Sequence, residues 1–201
     1  MQVWLKNALV YTGEWLDYQM RKTRQPGCVL AVAHKGRVVF ERAYGHADAV
    51  QREPLTPRHR FRVASHSKSF TAAGILLLRE VGKLGLDDPV GRHVDGLHAS
   101  VAEVTLTQAL SHGAGLVRDG ADAGQWADRR PFANETELRA ALAGPTVITP
   151  NTRMKYSNHG FGLLGLVIEA VTGEPYGAWI DRNIIAPSKL AGPARPILLR
   201  R

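Results

Sequence analysis

Residues 61–78 read Phe61-Arg62-Val63-Ala64-Ser65-His66-Ser67-Lys68-Ser69-Phe70-Thr71-Ala72-Ala73-Gly74-Ile75-Leu76-Leu77-Leu78. From Ser69 to Val81 apolar side chains run nearly all round a helix, and a helix with so little polar surface is a buried one. Gly82 ends it, and Phe61-Arg62-Val63 reads as a short strand-like approach. Ser65 stands where the helix begins, in the field of free backbone N–H groups and the positive end of the dipole. Lys68, three residues on, lies one turn along the same face. An amine partly desolvated by an apolar helix favours its neutral, proton-accepting form. Beside a hydroxyl it makes an activated nucleophile. A polar cap on a core helix is the plainer explanation of so short a motif, and only its context decides between the two.

Downstream, Tyr156-Ser157-Asn158 precedes a second apolar helix, expected over Ser157 to Val171 and stopped by Thr172-Gly173. Tyr156 is either an aromatic at a helix entry or a phenol that moves a proton; Asn158 is either a cap or an amide that binds a substrate carbonyl. Pro175 suits the first turn of a further helix to about Ile185. Asn134, with Glu137 three residues later, opens another, to Ala143. Thr105 to Ser111 is a short helix, and Gly113 to Phe132 reads as loop. Upstream, residues 3–20 form an N-terminal helix. Cys28–His34 and Arg37–Gly45, joined by Lys35-Gly36, form an antiparallel hairpin. Residues 46–60, polar and holding two prolines, read as loop. The order is one hairpin, then mostly helices, then a stretch from 186 that loses periodicity.

Several segments, in this order, resemble the serine β-lactamase and penicillin-binding-protein superfamily, nearest its class C-like branch. They are Phe61–Ala73, Gly82–Val90, Thr105–Leu116 (Thr-Leu-Thr-Gln-Ala-Leu-Ser-His-Gly-Ala-Gly-Leu), Tyr156–Phe161 and Val171–Tyr176. Several segments in sequence are far more specific than Ser-x-x-Lys alone. The resemblance runs from about Pro26 to Pro187. It implies an α+β, β-lactamase/transpeptidase-like fold: an antiparallel sheet flanked by helices, plus a helical lobe. It also implies roles. Ser65 would be the acylated nucleophile, Lys68 the base or proton shuttle, Tyr156 the partner base and Asn158 the holder of Lys68 and the substrate amide. The Ser65 N–H would be half of an oxyanion hole. A phenol titrates near 10, so Tyr156 needs cations beside it to act as a base.

The same comparison exposes departures. The family's late Lys-Thr-Gly or His-x-Gly strand has no counterpart, and Lys189-Leu190-Ala191-Gly192 is not in a strand-like setting. The expected organisation is an incomplete catalytic domain over residues 1–187, with its C-terminal strands missing, and a basic tail over 188–201. Such a chain offers an unpaired sheet edge for association.

Composition excludes other classes. Lys and Arg total 26 against 18 Asp and Glu, a net charge of +8. Arg182, Lys189, Arg195, Arg200 and Arg201 carry much of that excess, with no acid between 182 and 201. No basic helix face or aromatic stacking strip marks a nucleic-acid binder. No stretch reaches the roughly 20 apolar residues of a spanning helix. Lys6, Glu14 and Asp17 interrupt any signal-like segment, so the chain reads as cytoplasmic as it stands, and periplasmic or secreted if a leader precedes it. Cys28 alone supports neither a disulfide framework nor a thiolate zinc site. His93 and His98 lack ligand spacing and are expected on the surface; His112 and His159, inside family-like segments, either line the cleft or are structural and satisfied, the second being the expectation. No cofactor or metal is implied, and there is no Gly-x-Ser-x-Gly elbow. The leading expectation is therefore a serine hydrolase cleaving a small amide or ester: a β-lactam, a D-amino peptide or an ester. The alternatives are a non-catalytic member that binds ligand, or a basic scaffold acting through residues 182–201.

Overall fold

The computed structural model describes residues 2–119 and 134–189, with the backbone of Arg195 and Pro196. The chain divides into two compact units. One holds the residues up to Arg62 together with strand Arg195–Pro196; the other begins at Val63 and carries everything described through Lys189.

In the first unit α1 (Val3–Thr23) precedes β1 (Gly27–His34) and β2 (Arg37–Asp48), which pair antiparallel from Gly27–Gly45 to His34–Arg37. The hairpin is the one the sequence predicts, but β2 runs three residues beyond Gly45. The expected loop 46–60 also holds two short strands, β3 (Glu53–Pro54) and β4 (His59–Arg60). β3 pairs antiparallel with the end of β2 to make the order β1-β2-β3, so β1 is an edge among the described strands. β4 pairs in parallel with β5 (Arg195–Pro196), so the sheet structure is not wholly antiparallel. Two-residue strands carry no alternation to read, which is why polarity and prolines concealed them.

The irregular apolar spacing of α1 resolves into two stripes. Leu5, Leu9 and Gly13 are buried, and the Gly13 backbone approaches the side chains of Phe40, Arg42 and Tyr44 on β2. Trp4, Tyr11, Trp15 and Tyr18, at helical spacing on another face, are exposed.

The main hydrophobic cluster lies in the second unit. Ile75, Leu78, Leu106, Leu142, Leu163, Leu164, Val167, Ile168, Trp179 and Ile180 are among its buried members. They come from α2 (Ser67–Glu80), α4 (Leu106–Leu110), α5 (Glu135–Leu142), α6 (Asn158–Thr172) and α7 (Tyr176–Ile180); α3 (Ala99–Ala102) adds Val101. Local chemistry sets these boundaries. Thr105 and Gln108 form a reciprocal capping box at α4. The Asn134 side chain accepts from Glu137 N–H at 2.9 Å, the cap the sequence predicts. Gly173, left-handed at φ 70°, closes α6. Pro175 is the residue before α7 rather than inside it, and a π-helical turn, Asp181–Ile185, continues the chain.

Four expectations change. Helix α2 starts at Ser67, not Ser69, and runs directly out of a 3-10 turn at Ala64–His66; residues 61–63 form no strand. It is not buried all round. Thr71, Gly74, Ile75 and Leu78 face the core, whereas Leu76 is 47% exposed and Val81 60%. Gly74 explains the one-sided burial: its backbone sits so close to Ile168, Trp179 and Ile180 that α6 and α7 pack on that face. The short helix α3 was not expected; four residues are too few to show a period. Of the expected loop 113–132, residues 113–119 are irregular as anticipated, and 120–132 lie outside the described residues, as does most of the tail 188–201.

The core predicts its own sensitivity. Leu164 is fully buried, so Leu164→Ala should cost about 2–5 kcal/mol, lost transfer energy plus a cavity. A urea melt showing a change below about 1 kcal/mol would contradict the described core.

Candidate active site

The turn that starts α2 carries Ser65, and the first turn of α2 carries Lys68. Ala64, between Val63 and Ser65, has φ 44°, a left-handed conformation that costs a non-glycine residue of order 1–3 kcal/mol and recurs at active sites. Tyr156 and Asn158 flank the start of α6. Between them the Ser157 hydroxyl accepts from Gly160 N–H at 2.8 Å and donates to the Val117 carbonyl at 2.6 Å. One buried hydroxyl therefore caps the helix and ties it to the 117–119 segment.

All four residues singled out from the sequence meet. The Tyr156 and Ser65 hydroxyl oxygens are 2.6 Å apart, although 91 residues separate them. Lys68 Nζ donates to Asn158 Oδ1 at 2.6 Å and to Ser65 Oγ at 3.3 Å. It also lies 4.8 Å from the centre of the Tyr156 ring. Ser65 is exposed and Lys68, Tyr156 and Asn158 half-buried, so the Ser65 hydroxyl is open to solvent while its partners are partly shielded.

Burial by itself would raise the Tyr156 pKa. The Lys68 ammonium and Ser65 hydroxyl beside the phenol, with the charge of Arg118, outweigh it and hold the phenol below its ordinary value of 10.0. Phenolate, the base form, thus becomes accessible at a lower pH.

Sequence reasoning passed over Arg118 and Asp119 and took His112 as a structural residue. Asp119 Oδ1 accepts from Asn158 Nδ2 at 2.5 Å, which fixes the amide so that its oxygen faces Lys68. Arg118 pairs through Nε with Asp119 Oδ2 at 3.3 Å, and its guanidinium carbon lies 5.7 Å from the Tyr156 ring centre. His112, at φ 61°, packs 4.5 Å from the Tyr156 ring and 5.2 Å from Phe161. Its Nδ1 accepts from Ser157 N–H at 3.2 Å, so the ring is neutral with its proton on Nε2. The only signal for Arg118 and Asp119 was adjacency to the Ser-His-Gly-Ala-Gly-Leu segment. Gly115 shapes that segment: at φ 69°, an added Cβ would lie 2.1 Å from the Ile148 carbonyl oxygen, so no other residue fits.

Three other histidines, His93, His98 and His159, differ from expectation. His93 is not a surface residue: its side chain is 11% exposed and turns to the Asp88 carboxylate at 3.4 Å. His98 is half-buried because its Nδ1 caps α3, accepting from Ser100 N–H at 3.1 Å. His112 is satisfied, whereas the buried Nδ1 of His159 has no hydrogen-bond partner among the described residues. Those residues contain no cluster of three His, Cys, Asp or Glu that could hold a metal, and no helix long and apolar enough to cross a membrane.

Burial lowers the pKa of both His112 and His159, with the Lys68 charge adding to the first and Asp119 opposing it at the second. Unfolded, both take a proton near 6.5. The stability present above that value is therefore lost as pH falls through the lower folded values. The urea midpoint should fall between pH 7.5 and 5.5, above the carboxylate range, and fall less in His159→Gln. An unchanged midpoint across that window would contradict the assignment.

A hydroxyl at a helix start, an amine one turn along and a phenol on the hydroxyl form the arrangement of a serine-nucleophile site. Residues 14–194 match the Beta-lactamase family model, and the chain belongs to that family. It is 31% identical over 186 residues to esterase EstB of Burkholderia gladioli, covering 85% of this chain and 47% of that protein. The octameric penicillin-binding protein homologue from Pyrococcus abyssi superposes with TM-score 0.76 at 28% identity, over 87% of this chain and 42% of that one. A class C β-lactamase solved with cefoxitin gives TM-score 0.73 at 28% identity, over 87% and 47%. The fold is that of the serine β-lactamases and penicillin-binding proteins, and the named relatives include hydrolases. The chain spans less than half the length of the curated relatives it matches.

Proposed function

We propose that this chain acts as a serine hydrolase that opens a small ester or amide through an acyl-enzyme on Ser65. The observation that carries this reading is the 2.6 Å approach of the Tyr156 hydroxyl to Ser65 Oγ. A general base must lie within hydrogen-bond reach of the proton it removes.

Ser65 Oγ attacks the carbonyl carbon as its proton passes to Tyr156. The carbonyl oxygen takes the negative charge, and the Ser65 N–H, near the start of α2, is one donor for it. Collapse expels the alcohol or amine, which takes the proton back from Tyr156. Water then repeats the sequence against the acyl-enzyme, with Tyr156 again as base, and frees the acid. Lys68 holds the charge of the phenolate side of this exchange and is itself held by Asn158. Asn158, steadied by Asp119, has the amide chemistry to bind a substrate carbonyl.

The substrate class is an ester, a β-lactam or a D-aminoacyl amide, the three chemistries that the relatives' names and the resemblance suggest. A panel of 4-nitrophenyl butyrate, nitrocefin and D-alanine 4-nitroanilide, followed by chromophore release, tests the reading and ranks the classes. Turnover of one or more, with a burst equal to the enzyme concentration if deacylation limits, supports it. Absence of both turnover and burst with all three overturns it. A burst without turnover would show acylation without release and limit the reading to its first half.

A further inference from the structure

Arg118 has no part in the steps above, yet its placement is not that of a casual surface cation. The 117–119 backbone is laced to the start of α6 at two consecutive carbonyls. Val117 accepts from the Ser157 hydroxyl at 2.6 Å, and Arg118 accepts from Asn158 N–H at 2.8 Å. The adjoining Asp119 carboxylate is itself fixed, with one oxygen on Asn158 Nδ2 and the other 3.3 Å from Arg118 Nε. Three anchors therefore hold the stem of Arg118 at the site. Its side chain is nevertheless 65% exposed, and its guanidinium carbon lies 5.7 Å from the ring whose hydroxyl touches the nucleophile. A guanidinium has five N–H donors in a flat fork, and its contact with Asp119 runs from Nε to Oδ2 at 3.3 Å. Among the described residues, the charges in contact with Tyr156 and Asn158 are those of Lys68, Arg118 and Asp119, two cations against one anion.

We propose that Arg118 is the specificity-determining residue of a carboxylate subsite, selecting acyl groups that carry a second carboxylate a few carbons from the scissile carbonyl. The inference deepens the serine-hydrolase reading and rests on it for the position of the scissile bond. The fork of Arg118 receives the distal carboxylate in a charge-assisted, two-point contact. Arg118 and Ser65 both reach Tyr156, the guanidinium carbon 5.7 Å from its ring and Ser65 Oγ 2.6 Å from its hydroxyl, so a short flexible acyl chain such as a glutaryl group is the probe length to test. Arg118 also bears on the base: its charge is among the causes that hold the Tyr156 phenol low. A carboxylate bound to it would partly offset that effect, so the gain falls in binding, in KM rather than kcat.

The test separates binding from chemistry by working in the Ser65→Ala background, where no acyl-enzyme forms. Equilibrium binding of glutaryl-4-nitroanilide is compared with that of pentanoyl-4-nitroanilide, its uncharged counterpart of equal chain length. The expected result is about tenfold tighter binding of the glutaryl compound, a charge-assisted contact discounted for solvent exposure. The preference should shrink in 0.5 M salt, vanish in Ser65→Ala/Arg118→Gln and survive in part in Ser65→Ala/Arg118→Lys. Rescue by lysine shows that charge, not a structural role of the arginine, carries the preference. Equal affinity for the two ligands overturns the proposal, and so does a preference that persists in Arg118→Gln. A preference that holds and follows Arg118, in a protein whose wild type shows neither turnover nor burst, upholds the subsite and overturns only the hydrolase reading.

Discussion

Ser65→Ala should reduce turnover to background while leaving the fold intact. Replacing a catalytic serine in an acyl-transfer site costs on the order of 10⁴–10⁶ in kcat. The structural cost should be small, because Ser65 is exposed and its hydroxyl fills no part of the core. Its contacts are polar ones to Tyr156 and Lys68, and both partners keep water within reach. Circular dichroism and the urea midpoint should match the parent to within about 1 kcal/mol. Activity retained at a tenth of the parent or more would remove Ser65 from the mechanism.

Tyr156→Phe and Lys68→Ala should each lower kcat/KM by about 10²–10⁴, the range for loss of a positioned acid–base group. The double variant should be little worse than the worse single one, because residues that share one proton path are non-additive. The pH profile separates their roles. If phenolate is the base, kcat/KM in the parent rises with pH through a value below 10, since the cations beside Tyr156 favour its ionised form. Lys68→Ala removes the nearest of those cations and should move the limb upward, while Tyr156→Phe should abolish it. Losses that multiply cleanly, or a limb unmoved in Lys68→Ala, would show that the two do not act on one proton.

The core helices and the four contacting side chains were legible because each had a local signature. α6 follows from an apolar run with a Ser cap and a Gly stop, and α5 from Asn134 and Glu137. Ser65, Lys68, Tyr156 and Asn158 were legible through two short motifs, each in an expected helix-entry context. What escaped was set by packing. β3, β4 and α3 are too short to carry periodicity. The exposed flank of α2 could not be inferred from composition, since Leu76 and Leu78 look alike in sequence while Gly74 decides which side α6 and α7 approach. The two stripes of α1 blurred into irregular spacing because a single-face template fits neither. Arg118 and Asp119 belong to no motif. Their relation to Tyr156 and Asn158 is made by contacts across about 40 residues of sequence, from the Ser157 hydroxyl to the Val117 carbonyl, from Asn158 N–H to the Arg118 carbonyl and from the Asn158 amide to Asp119.

The central claim is a covalent one, so mass spectrometry tests it most directly. The intact chain is incubated with a fluorophosphonate and, separately, with benzylpenicillin, then weighed and mapped by peptide fragmentation. The account predicts an adduct of one equivalent with the fluorophosphonate at least, located on Ser65, lost in Ser65→Ala and slowed in Tyr156→Phe. A chain that stays unmodified by both reagents while folded, or one modified at a residue other than Ser65, would contradict it.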